Sequence, residues 1–413
     1  MGQCSARVAG CALWRAQGRR SMNTRAQPQM QNRALDLLRS VSALLVVLGH
    51  VRVLFFKDYA DIPHSAASAI AYAFTSLGSE AVIVFFVMSG FWVGGGAVRA
   101  MKRRTFTWGG YASARLTRLW LVLIPALLLT ILIDLVGRHF FSSADIYAEA
   151  GRYAAVPSHP TYSLESFFGT VAFLGGIHVP IFGLNMPLWS IPYEFWYYVM
   201  FPAAMLVFGF ASGRWMRLVA ALVLAASAFI AGGEALLLFP AWLAGAAVAW
   251  KRDDIVGLLR SMQSRRLAVL RIAALLGTLG AMVFAHEGPL PALIGKWLVA
   301  LFAAALTATL VVDVAWSGPS GRILSSAAGT AHYSFSLYAI HMPIVALLSA
   351  VLVPDVADRW TPGPWTILAF LAIVVFLEVL AAVFASFTES KTDTVRGWMR
   401  APLARSRRVD HAI

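Results

Sequence analysis

The sequence predicts an all-α, polytopic membrane protein of about ten transmembrane helices. Hydrophobic residues fill 59% of its 413 positions, charged residues only 13%, and mean hydropathy is +0.70, a balance foreign to ordinary soluble domains. The apolar residues gather into runs close to the roughly 20 needed to cross about 30 Å of hydrocarbon. Lys and Arg fall in short clusters between those runs. The formal net charge of +14 therefore reads as a topology signal rather than a nucleic-acid surface, and no nucleic-acid partner is expected.

In chain order the runs centre on 35–56, 77–97, 116–136, 189–209, 216–232, 235–250, 268–286, 294–314, 333–353 and 365–387. With the N-terminus in the cytosol, all but six of the 34 Lys and Arg lie inside, the exceptions being Arg52, Lys57, Arg138, Arg152, Lys296 and Arg359. Ten crossings return the chain to its starting side, so both termini are expected in the cytosol. Residues 1–32 read as a disordered cytosolic extension, 33–388 as one ten-helix membrane domain, and 389–413 as a basic cytosolic tail. Cys4 and Cys11, the only cysteines, lie in the extension, so neither a disulfide framework nor a cysteine metal site is expected in the body. The longest non-cytosolic connection, about 137–188, holds an apolar piece from Phe167 to Ile177. It is too short to cross upright and is expected as a re-entrant or interfacial cap.

Charge inside a span is costly unless it lines a cavity or finds a partner, so such residues are functional candidates. Arg39 and His50 are eleven residues apart in the first run, which returns them to one helix face about 16 Å apart. Snorkelling by Arg39 and a plain interhelical hydrogen bond by His50 explain the spacing equally well. Arg115 and Arg118 share a face at the inner end of the third run. Their forked donors suit phosphate oxygens, and the positive-inside rule also accounts for them. Ser89, Gly90 and Phe91, followed by Gly94, clear bulk from the second run, either for close helix packing or for a narrow slot. Glu194, about five residues into the fourth run, is expected at the depth of His50, where a carboxylate would fix the imidazole tautomer. Pairing with Tyr193, Tyr197 or Tyr198 is the plainer alternative. His341 would lie about 12 Å into the ninth run. No metal is expected. A proton-coupled transporter or flippase relaying protons through His50, Glu194 and Glu80 competes with an enzyme.

Five stretches resemble one family in order along the chain: Arg33-Ala-Leu-Asp36-Leu-Leu-Arg39 through His50; Val84-Phe-Phe-Val-Met-Ser89-Gly90-Phe91; Arg115-Leu-Thr-Arg118; Leu188-Trp189-Ser190-Ile-Pro-Tyr-Glu194; and Tyr333-Ser334-Phe-Ser336-Leu337-Tyr338-Ala-Ile-His341. The family is the integral-membrane acyltransferase family 3. The resemblance implies a multi-pass enzyme of the bacterial inner membrane. Such an enzyme would move an acyl group, acetyl foremost, from cytosolic acyl-CoA to a hydroxyl of an extracytoplasmic glycan or glycolipid. It further implies His50 as general base with Glu194 orienting it, and Arg39, Arg115, Arg118, Ser89, Gly90, Phe91 and His341 around the donor. Leu37 stands where many members have Gly, and Phe195-Trp196 replaces an acidic residue and a Gln, departures that bear on the acceptor more than on Arg39 and His50. Many members carry a further extracytoplasmic hydrolase-like domain. With about 25 residues beyond the last run, that module is expected on another protein.

Overall fold

The computed structural model describes residues 32–210, 213–288, 291–314, 316 and 318–398. Except for Asn32, the expected extension lies outside the described residues, as do both cysteines and the expected tail beyond residue 398. The helices are α1 (Arg33–Phe55), α2 (Ala66–Thr75), α3 (Gly78–Lys102), α4 (Trp108–Phe140), α5 (Leu164–Val171), α6 (Ser190–Met205) and α7 (Arg214–Trp250). They continue as α8 (Arg252–Ser261), α9 (Ser264–Glu287), α10 (Ala292–Leu310), α11 (Gly318–Gly329), α12 (Ser334–Leu352) and α13 (Pro364–Phe387). Among the described residues no β-strand forms, only isolated bridges.

Eight stretches are long and apolar enough to cross a membrane, against ten expected, and two local features account for the difference. The fourth run is α6 prolonged by a π turn, Leu206–Phe210. The fifth and sixth runs share α7, which breaks at Gly232 (φ 77°, ψ 170°), backbone that only glycine enters cheaply. Phe210, just before α7, packs its ring 6.0 Å from that of Trp250 at the helix's far end. Gly232 instead lies beside Ile177 of the long connection. The two ends of α7 therefore meet, and the element is a hairpin of two spans.

Helix α3 is the innermost span, its apolar window 78% buried against 17% for α9 and 22% for α13. Small residues allow it that place. A Cβ on Gly90 would stand 1.9 Å from the Trp242 carbonyl oxygen, and one on Gly245 would stand 1.7 Å from that of Val87. The backbones of α3 and the second half of α7 thus touch at paired glycines, the usual means of helix approach in lipid. Leu132, Leu135, Val375 and Val379 on the outer faces of α4 and α13 remain exposed, as lipid-facing residues must.

Helix α1 begins where Asn32 caps it, accepting from the N–H groups of Ala34 and Leu35 while donating to the Leu310 carbonyl at the end of α10. Helices α11 and α12 then run alongside α1 in the same direction: Arg39 meets Ala331 near one end, and His50 meets His341 near the other. The long connection lies at the His50 end. Its α5 is only eight residues long, with Leu164 and Phe168 exposed. The chain then dives inward, because Asn185, Pro187 and Leu188 are all buried.

Candidate active site

The imidazoles of His50 and His341 face each other, Nδ1 of His50 lying 2.9 Å from Nε2 of His341 with ring centroids 5.0 Å apart. The remaining bonds fix who donates. His341 Nδ1 lies 2.9 Å from the Tyr338 carbonyl and 3.1 Å from that of Leu337. Carbonyls only accept, so Nδ1 of His341 carries the proton and its Nε2 offers a lone pair. In the neutral pair His50 must then donate through Nδ1, which leaves Nε2 of His50 unprotonated. His341 is fully buried, whereas His50 as a residue is partly buried, so the basic nitrogen belongs to the residue with some remaining exposure.

Pro343 has no N–H, which deprives the Ala339 carbonyl, about half a turn below His341, of its ordinary partner. The side chain of Asn185 replaces it. Its Nδ2 donates to the Ala339 oxygen at 2.9 Å and to Thr130 Oγ1 at 3.0 Å, and Asn185 is wholly buried. Tyr338 similarly donates to the Pro187 carbonyl at 2.5 Å, so Ser190 must donate to the Tyr338 hydroxyl. The chain from 185 to 190 is therefore laced to the segment of α12 that carries His341. Asp134 on α4 secures the same stretch by accepting from Leu184 N–H and the Tyr162 hydroxyl. Burial, with the Asp134 carboxylate beside it, raises the Tyr162 hydroxyl above its ordinary range, so it stays a donor.

At the other end Arg39 donates through Nη2 to the Ala331 carbonyl at 2.6 Å and lies 3.7 Å from Asp36. Glu389, a residue that spacing did not single out, lies within electrostatic reach of two of the arginines. Its carboxylate accepts from the N–H and hydroxyl of Ser336 at 3.1 and 3.0 Å, and both Arg118 and Arg39 act on it electrostatically. Its place just beyond the last apolar run was the one available signal. Arg115 turns elsewhere, with its guanidinium 5.9 Å from the Tyr111 ring, and lines a separate cavity of about 300 Å³ with Thr107 and Tyr111. The Nε atoms of Arg39 and Arg115 are buried without a hydrogen-bond partner among the described residues.

Glu194 sits nearer the arginines than expected. Its Oε1 accepts from Ser89 at 2.7 Å and from the Tyr198 hydroxyl, on which Arg118 also acts. The partner of His50 is accordingly His341 rather than Glu194. The physical reason is the buried entry of α6. Ser190 is level with Tyr338, so Glu194 lies about 6 Å below that level while His341 lies about 4.5 Å above it. Ser89 also accepts from Trp242 Nε1 at 3.1 Å. Gly90 opens no slot, since Trp242 fills the space beside it, and Phe91 is buried against Trp92 within a π turn, Gly90–Gly94. Among the described residues no group of three or more His, Cys, Asp or Glu gathers to hold a metal.

A family model described as an acyltransferase domain matches residues 32–383. No curated protein and no solved structure matches the chain.

Proposed function

The chain belongs to the acyltransferase family 3, and from that premise we propose that it carries an acyl group, acetyl foremost, from cytosolic acyl-CoA to a hydroxyl of an extracytoplasmic glycan or glycolipid. A membrane acyltransferase needs a base for the acceptor, because a hydroxyl is a poor nucleophile near neutral pH. The observation that carries the reading is the His50–His341 pair, which leaves a lone pair on Nε2 of the more exposed residue. As the acceptor oxygen bonds to the thioester carbonyl carbon, Nε2 of His50 takes the hydroxyl proton. The C–S bond then breaks, and the departing thiolate recovers that proton from the imidazolium. Ester and free thiol are the only products.

In this reading His341 fixes the tautomer of His50, the task first expected of Glu194. Arg39 and Arg118 would grip the donor's phosphates, since guanidinium forks match phosphate oxygens and Arg39 stands about three helical turns from His50 along α1. Glu194 and Ser89 would line the path between. The Lys and Arg clusters favour the arginine end as cytosolic and a bacterial inner-membrane location.

Radiolabelled acetyl-CoA incubated with the purified protein and glycan-bearing membranes tests the reading. We expect label in the glycan fraction and none with His50→Ala that retains native folding. Full turnover by that variant would remove His50 as base, and pH-gradient-driven substrate uptake without acyl-CoA consumption would favour a transporter.

A further inference from the structure

We infer that a cavity beyond the arginine cluster receives the nucleotide end of the donor, an adenosine 3′,5′-bisphosphate group. This open pocket of about 470 Å³ lies between the starts of α1 and α11, lined by Arg33, Trp316, Gly318, Gly321, Arg322 and Ser325. Two arginines and a serine line it, and among the described residues no carboxylate does. Arg33 leans on Ser325, its Nη1 lying 3.5 Å from the hydroxyl oxygen, and Asn32 anchors that turn of α1 to the end of α10. Gly321 admits the tryptophan, because a Cβ there would lie 2.8 Å from the Trp316 carbonyl carbon. A pocket lined by a tryptophan and two arginines has the residue types suited to a purine face flanked by phosphates.

The order of groups along α1 supports this assignment. His50, Arg39 and Arg33 follow one another, Arg39 about 16 Å and Arg33 about 25 Å from the imidazole along the axis. An acyl-CoA presents its groups in the same order: thioester, pantetheine arm, diphosphate, then adenosine with its 3′-phosphate. A donor whose thioester reaches His50 and whose diphosphate meets Arg39 and Arg118 must carry its nucleotide further out, where the Arg33–Arg322 cavity opens. The inference rests on the acyl-CoA reading above and extends it to residues outside the resembling stretches, Arg33 excepted. An anionic lipid headgroup carries the same phosphate chemistry, so the two sources need separate arms in the test.

The test uses full-length protein in phosphatidylcholine nanodiscs, with adenosine 3′,5′-bisphosphate as the probe in direct calorimetric binding. The variants are Arg33→Gln/Arg322→Gln and, in case that pair disturbs folding, Trp316→Ala alone. We expect the probe to bind wild type and to weaken by about tenfold or more in each variant. The preference for acetyl-CoA over acetyl-pantetheine, which lacks the nucleotide, should fall by a similar factor. Equal probe affinity in wild type and variants, with acetyl-CoA still turned over, would overturn the cavity assignment while leaving the acyltransferase reading intact. Probe binding abolished by phosphatidylglycerol in the nanodisc, with no change in donor preference across the variants, would assign the cavity to lipid. Failure of wild type to use acetyl-CoA at all would sink the donor reading and this inference together.

Discussion

Replacing Asn185 by Leu keeps the side chain's bulk but removes what is, among the described residues, the one side-chain donor to the Ala339 carbonyl, which Pro343 has already deprived of its helical partner. A buried carbonyl left unpaired costs about 1–3 kcal/mol, and side-chain hydrogen bonds between membrane helices have been worth up to about 1.7 kcal/mol. About 1–2 kcal/mol is therefore available to relax α12 just below His341. At about 1.36 kcal/mol per tenfold, displacing His341 from its place opposite His50 by that amount should, on the proposed mechanism, lower kcat by roughly 5- to 30-fold. KM for acetyl-CoA should stay constant, because Arg39 and Arg118 lie at the other end of the helix pair. The control is a second substitution: Pro343→Ala restores an N–H at 343, which can donate to the Ala339 oxygen without Asn185. In the Asn185→Leu background it should return kcat to within about threefold of wild type. Steady-state kinetics of the four proteins, with thermal unfolding alongside, completes the cycle. An unchanged kcat in Asn185→Leu, or no recovery on adding Pro343→Ala, would refute the idea that Asn185 acts through that carbonyl.

His341→Phe preserves the ring but removes the acceptor for His50 Nδ1, so kcat should fall at least a hundredfold with KM for the donor little changed; a loss confined to KM would return His341 to donor binding. Glu389→Gln removes a negative charge shared by Arg39 and Arg118 while Arg39 keeps its bond to Ala331, so KM for acetyl-CoA should drop about fivefold at low salt and the gain should shrink as salt rises; a higher KM would mean that Glu389 positions the arginines. Gly90→Ala and Gly245→Ala drive a methyl into the Trp242 and Val87 carbonyls, and each should lower thermal stability by about 3 kcal/mol or more. Gly280→Ala, exposed on α9 with open space around it, should be neutral or stabilising by up to about 1 kcal/mol in the same melt.

Much of the architecture was legible because hydrophobic run length is set by the bilayer rather than by tertiary detail. Each of the ten runs became helix, and even the closely spaced fifth and sixth proved to be separate arms once Gly232 turned the chain. The pairing of His50 with His341 was not legible, because it depends on α1 and α12 running side by side in one direction, which no span list specifies. The same holds for Glu389. Its carboxylate lies outside every resembling stretch and finds the arginines only because α13 ends beside the start of α12.

Depth was the quantity that counting residues could not supply. A span's first apolar residue marks the membrane surface only when the preceding chain is in water, and before α6 it is not: Asn185 and Leu188 are already inside the bundle. The departures Phe195 and Trp196, expected to bear on the acceptor, serve this entry as well. Phe195 stacks on Phe173 with centroids 4.0 Å apart, and Trp196 Nε1 donates to the Phe173 carbonyl at 3.0 Å. Phe173 itself adopts φ 60°, a left-handed conformation that a bulky residue holds only when its surroundings compel it. Two aromatic side chains one helical step beyond Glu194 thus lock the turn that leads the long connection inward, and by setting where α6 begins they set how far Glu194 lies from His50. Glu194 and its neighbours Phe195 and Trp196 therefore belong to one packed unit, in which the aromatic pair sets the depth of the carboxylate.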